Sequence, residues 1–121
     1  MCLFCEIKDK NIIYENDFIY VIYDGFPVNP GHTLIITKRH VSNYFELSKS
    51  EKEAIDEAII FMKSKLDKEF HPDGYNIGIN NGLAAGQTIM HLHVHLIPRY
   101  QGDMENPRGG VRGVIPQKQA Y

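Results

Sequence analysis

His91-Leu92-His93-Val94-His95-Leu96-Ile97-Pro98-Arg99 alternates imidazole with aliphatic side chains, the pattern of a half-buried β-strand. On a strand, residues two apart share a face, so the imidazoles of His91, His93 and His95 project together, about 6.5 Å apart at each step. Leu92, Val94 and Leu96 then point the other way, into a core. A solvated face seldom needs three histidines in register, whereas imidazole, titrating near neutrality, is used repeatedly in catalysis and metal binding. This stretch therefore sets both the fold expectation and the search for chemistry.

Upstream, Asn81-Gly82-Leu83-Ala84-Ala85-Gly86-Gln87 is a Gly-rich loop, and Tyr75 to Asn80 (YNIGIN) alternates as a second strand. Before that pair lies the clearest helix. Ser48 and Glu51 form a capping box. Ala54, Ile55, Ala58, Ile59, Met62 and Leu66 then recur at spacings of three and four as one apolar stripe. Glu51, Lys52, Glu53, Asp56, Glu57, Lys63 and Lys65 fill the other face, and His71-Pro72-Asp73-Gly74 ends the helix. Two further β-like runs, Phe18 to Tyr23 and His32 to Thr37, flank a turn-rich loop from Asp24 to Gly31. The order strand pair, helix, strand pair predicts an α+β domain, an antiparallel sheet with one long helix packed on it. Residues 101–121, rich in Gly, Pro and charge, read as an extended tail.

The 121 residues fit a single domain, 1–121, and 43% are hydrophobic, enough to bury one core without disulfides. A formal charge of −2 gives no indication of nucleic acid or membrane partners. No run approaches the ~18 apolar residues of a membrane span, and the N-terminal stretch lacks the basic-then-apolar pattern of a secretory signal, so a cytoplasmic location is expected. Cys2 and Cys5, three positions apart, cannot staple distant parts of the fold; in a reducing compartment they read as metal ligands or free thiols.

Two chemistries compete for the histidines. His91, His93 and His95 could chelate a catalytic zinc. Alternatively, an imidazole could attack phosphorus, forming a phosphoramidate labile enough to turn over. No Asp or Glu lies between Asp73 and Asp103 to complete a metal set, while Gly86-Gln87-Thr88 offers backbone and side-chain donors suited to an anion. The balance favours phosphate.

The run Gly86-Gln87-Thr88-Ile89-Met90-His91-Leu92-His93-Val94-His95-Leu96-Ile97 resembles the signature of the histidine triad (HIT) family, His-φ-His-φ-His-φ-φ with φ apolar. Pro30-Gly31-His32 is similar to that family's second marker, and Cys2-Leu3-Phe4-Cys5 to the opening of many bacterial members. The likeness runs through nearly the whole chain. It implies the HIT-like fold, with the sheet continued edge to edge across a homodimer. It also implies a nucleotide hydrolase or nucleotidyl transferase cleaving at the α-phosphate of a purine nucleotide through a covalent nucleotidyl-histidine on His93. His95 would bind and polarise the α-phosphate, His32 would be a fourth imidazole beside the triad, and Gln87 and Thr88 would meet the α-phosphate and leaving group. Asn80 corresponds to another polar phosphate-site position and Asp24 to the acceptor of the ribose hydroxyls. Leu3, Phe4, Ile7 and Ile22 correspond to the wall of the base pocket, for which core packing is the rival reading.

A histidine at the third triad position, His95, resembles the hydrolases rather than the family's uridylyltransferases, which carry glutamine there. Ile97-Pro98-Arg99 is similar to the dinucleoside polyphosphate hydrolases, and the cysteine pair to small bacterial proteins near the phosphoramidase branch, which leaves the leaving group open. Some members hold a structural zinc, and the corresponding ligands here are Cys2, Cys5, His40 and His91; the rival is a pair of free cysteines and a surface His40. Two further readings stand beside the enzyme: a nucleotide-binding regulatory module with little turnover, and a zinc hydrolase using the triad as ligands.

Overall fold

The computed structural model describes residues 2–121. Its sheet has five strands, β1 (Tyr14–Glu15), β2 (Ile19–Tyr23), β3 (Thr33–Thr37), β4 (Gly74–Gly78) and β5 (His93–Arg99), in the order β1-β2-β3-β5-β4 with every pair antiparallel. One long helix, α1 (Lys49–Phe70), packs on one face. The α+β expectation holds. The short edge strand β1 carries too few residues for a periodic signal. The expected strands at 18–23, 32–37 and 75–80 are found within a residue or two of their bounds.

α1 begins where its capping box dictates. Ser48 Oγ accepts from Glu51 N at 3.1 Å, and Glu51 Oε1 accepts from Ser48 N at 2.9 Å. Ala54, Ile55, Ala58, Met62 and Leu66 are buried against Ile19, Val21, Ile35, Val94 and Leu96 of the sheet. Glu51 departs from its expected place on the solvent face. It is buried, and Arg39 grips it in a fork with contacts of 2.7 and 3.1 Å. Its carboxyl is held below the usual range by that guanidinium, and the pair fastens the segment after β3 to the start of the helix. α1 ends at His71, the one described non-glycine residue with positive φ, at 53°.

Alternation along β2, β3 and β5 divides the sheet. One set of side chains faces α1; the other set, Tyr20, Ile22, Leu34 and Ile36, faces away and is covered by Phe4 and Ile7 from the N-terminal segment. Leu3–Glu6 forms a single 3₁₀ turn there. Gly31, at φ +88°, sits so close to α1 that an added Cβ would lie 3.1 Å from Leu66 and 3.2 Å from Phe70. Only glycine turns the chain there and delivers His32 to the start of β3. The region read as extended coil contains two short 3₁₀ segments, Gly110–Val114 and Pro116–Lys118, and Arg108 and Arg112 both stack on Tyr121. No helix is long and apolar enough to cross a membrane.

Candidate active site and metal centre

A cavity of about 830 Å³ opens on the sheet face opposite α1. Leu3, Phe4 and Ile7 of the N-terminal segment form one wall. Ile22 of β2 and Asp24 just after it form the next. Asn80 and Thr88 enter from the loops before β5, and His93 and His95 project from β5 itself. Nine of the residues singled out from the sequence therefore meet in one place. Glu6, Lys8, Asn11, Phe26, Leu34 and Ile89 also line it and were not anticipated. Leu34 was detectable in principle, since it is the cross-strand partner of His95. The others depend on how the N-terminal segment and the β2–β3 loop fold back, which no local pattern encodes.

Two residues singled out with them do not line the cavity. Gln87 is buried and fully engaged: its Oε1 accepts from Gly82 N at 2.8 Å, and its Nε2 donates to the carbonyls of Ser42 and Ile89. In this arrangement it clamps the Gly-rich loop, with both amide N–H groups spent on backbone carbonyls. His32 is only 2% exposed and lies behind His95, whose ring it meets at 2.9 Å.

The three histidines of the run also differ from one another. β5 starts at His93, because Leu92 N donates to Val41 O at 2.7 Å and leaves the ladder. His91 thus precedes the strand and is fully buried. Its Nε2–H donates to Thr37 O at 2.7 Å, which turns the Nδ1 lone pair toward Cys2 and Cys5. His93 has the opposite arrangement. Its Nδ1–H donates to His91 O at 2.9 Å, so Nε2 keeps a free lone pair. His93 and His95 have ring centroids 5.2 Å apart, and Phe4 stands edge-on to His93 at 4.9 Å.

The protonation of His95 follows from a chain of partners. Val28 N–H donates to His32 Nδ1 at 3.0 Å, so neutral His32 carries its proton on Nε2. That Nε2–H has His95 Nδ1 at 2.9 Å and Asp24 Oδ2 at 3.4 Å, and the shorter bond makes His95 Nδ1 an acceptor. His95 must then carry its own proton on Nε2. Desolvation lowers the pKa of both rings, opposed only by Asp24, so both are neutral near pH 7. The site thus pairs an imidazole with a free lone pair, His93, with one bearing a donor N–H, His95.

Two sets of metal-type side chains exist among the described residues: Cys2, Cys5, His40 and His91, and Asp24, His32 and His95. The second is unsuited to a cation, because His32 Nδ1 already accepts a backbone N–H and its Nε2 must keep a proton. The triad itself is not such a set, since His91 faces away toward the cysteines. The first set fits zinc. Its spacings are 3.3 Å for Cys2–His91, 3.4 Å for Cys5–His91, and 3.2 Å for Cys5–His40 and for His40–His91. Tetrahedral zinc with its usual bond lengths has N···N edges of about 3.3 Å and N···S edges of about 3.6 Å. The Thr37 carbonyl fixes the His91 tautomer that a ligand needs, as outer-shell partners of metal-bound histidines do.

Comparison with known proteins agrees with this architecture. The HIT domain family model matches residues 6–102. Protein hit of Bacillus subtilis is 36% identical over 84% of this chain and 74% of its own length. The bis(5'-adenosyl)-triphosphatase of Dictyostelium discoideum is 33% identical over 83% of this chain and 67% of its own. For the asymmetrical bis(5'-nucleosyl)-tetraphosphatase of Schizosaccharomyces pombe the values are 39%, 78% and 52%. Among solved structures, a HIT family protein from Bacillus anthracis superposes with a TM-score of 0.78 at 37% identity, over 84% of this chain and 75% of the other. A zinc-bound histidine triad family protein from Mycobacterium smegmatis superposes with a TM-score of 0.77 at 33% identity, over 87% and 79%. With the family model matching residues 6–102 and the sheet and helix superposing on solved relatives, the chain belongs to the HIT domain family.

Proposed function

We propose that this protein is a nucleotide hydrolase or nucleotidyl transferase that cleaves at the α-phosphate of a nucleoside 5'-phosphoryl substrate through a covalent intermediate on His93. The observation that carries the reading is the complementary state of two neighbouring imidazoles: a free Nε2 lone pair on His93 and an Nε2–H on His95. An in-line displacement at phosphorus needs both a nucleophile and a donor for the charge that develops on the phosphoryl oxygens. Two relatives named as dinucleoside polyphosphatases support the substrate class.

The purine nucleoside lies against Leu3, Phe4, Ile7 and Ile22, with its ribose hydroxyls on Asp24. His93 Nε2 attacks the α-phosphorus, and the bond to the leaving group breaks with its electron pair departing on the leaving group. His95, Thr88 and Asn80 donate to the phosphoryl oxygens. Water then attacks the nucleotidyl-histidine, releases the nucleoside monophosphate and returns His93 to its starting state. Zinc at Cys2, Cys5, His40 and His91 would contribute folding free energy and stay outside the chemical step. The working unit is a cytoplasmic homodimer of one domain spanning residues 1–121.

His93→Ala tests the reading. Removing the nucleophile forfeits the two-step path, so turnover of diadenosine polyphosphate or adenosine 5'-phosphoramidate should fall at least ~10³-fold, equivalent to ~4 kcal/mol of barrier. Nucleotide affinity should survive. Wild-type enzyme quenched in alkali with labelled substrate should carry its adduct on His93. An adduct on His91 or His95 would move the nucleophile, and undiminished turnover by the variant would remove covalent catalysis by His93.

A further inference from the structure

Cavity and metal centre share residues. Leu3 and Phe4, which wall the cavity, stand in sequence directly between the ligands Cys2 and Cys5. The Leu3–Glu6 turn that presents them has four residues, and a turn that short has little stability of its own. The turn is held by its own backbone bonds, Cys5 N to Cys2 O among them, by the bond from Tyr20 Oη to Phe4 O at 2.8 Å, by the packing of Phe4 on Leu34 and Ile36, and by the convergence of both thiols on His40 and His91. Phe4 is 4% exposed, and its ring stands edge-on to His91 at 6.2 Å and to His93 at 4.9 Å. A second link runs through the backbone. The carbonyl that accepts the His93 Nδ1–H belongs to His91, itself one of the four ligands. Whatever fixes His91 and the cysteines therefore fixes a wall of the cavity and the tautomer of the nucleophile.

We propose that the centre formed by Cys2, Cys5, His40 and His91 is thermodynamically coupled to the nucleotide cavity through Phe4 and the His91 carbonyl, so that metal and nucleotide bind with positive cooperativity. The proposal rests on the nucleotide reading of the cavity. A bound metal preorganises the N-terminal turn, and the nucleotide then binds without the cost of ordering it. Linkage makes the effect reciprocal: a nucleotide against Leu3 and Phe4 must tighten the metal by the same factor.

The test uses zinc-loaded protein, adenosine monophosphate and a chromophoric chelator of known affinity. Zinc affinity from competition should rise about tenfold in saturating adenosine monophosphate, within the usual span of coupling energies. In Phe4→Ala, saturated with nucleotide, zinc affinity should rise clearly less than in wild type, because only the link through the His91 carbonyl remains. Adenosine monophosphate that binds the zinc-loaded protein without changing its zinc affinity would overturn the coupling and spare the nucleotide reading. Calorimetry showing no binding of adenosine monophosphate at all would instead overturn that reading, and the proposal with it. Equal tightening in wild type and Phe4→Ala would show that Phe4 carries none of the coupling, which also overturns the proposal.

Discussion

His32 offers the sharpest test of the site, because its two nitrogens do different work and can be removed separately. Nδ1 accepts Val28 N–H, and Nε2–H donates to His95 Nδ1. An asparagine carboxamide extends only as far as Nδ1, so His32→Asn keeps an acceptor for Val28 and loses the donor to His95. A glutamine carboxamide reaches the position of Nε2, so His32→Gln keeps the donor and orphans Val28 N–H. Orphaning the Val28 N–H of this part-buried bond should make His32→Gln cost about 1 kcal/mol of stability, or on the order of 4 °C in Tm. His32→Asn has the larger catalytic consequence. With no donor at Nδ1, His95 can take its proton there and turn a lone pair toward the phosphoryl oxygens. Loss of one preorganised donor costs roughly 10²–10³-fold in kcat; because the ring remains, we expect the lower end, ~10²-fold, with little change in KM. His32→Gln should stay within ~10-fold of wild type. The assay is steady-state hydrolysis of a diadenosine polyphosphate, with thermal melts on the same preparations. An asparagine variant as fast as wild type, or a glutamine variant slower than the asparagine one, would refute the assignment of the His95 proton.

Asp24→Ala should raise KM and leave kcat within ~10-fold, as loss of uniform binding does; a thousandfold fall in kcat at constant KM would contradict a ribose role. Burial lowers the pKa of His32 and His95, so the unfolded chain binds protons first. Stability should be fully present above about pH 6.5 and decline as the pH falls from there toward the depressed values; melting temperatures that stay flat from pH 7 to 5 would count against neutral, buried rings. β4 has a pairing partner, β5, on one side only, and its Ile77 is 50% exposed, so its outer edge should join that of a second copy. Light scattering at micromolar concentration should give a dimer mass, and a monomer mass would exclude this edge as an obligatory interface.

Much of this architecture is legible in one dimension because short-range physics fixes it. The Ser48–Glu51 box and the three-four spacing of Ala54 to Leu66 determine α1 almost to the residue. Alternation in Leu92, Val94 and Leu96 correctly assigns the helix-facing side of β5. What escapes is whatever depends on where a second segment arrives. Glu51 has the sequence context of a solvent-facing helical residue, and only the arrival of Arg39 explains its burial. Gln87 sits where a phosphate ligand is expected, yet Gly82, Ser42 and Ile89 consume its amide.

The histidines make the same point more strongly. In sequence, His91, His93 and His95 are three equal steps of one pattern, and alternation alone does not distinguish their rings. Their chemistry is set instead by which nitrogen meets a backbone partner. Thr37 O takes Nε2–H of His91 and leaves a ligand; His91 O takes Nδ1–H of His93 and leaves a nucleophile. Val28 N–H, acting through His32, leaves His95 a donor. Three backbone groups on three different segments thus differentiate one repeated residue. A substitution that shifts the loop after β2, such as a bulky residue at Gly31, should therefore disturb the chemistry while the triad itself stays intact. The added Cβ at Gly31 would press on Leu66, Pro98 and Phe70 at 3.1–3.2 Å and impose a disfavoured φ, displacing Val28 and His32 together. The harm would reach His95 through its proton and leave the bond between His93 and His91 in place.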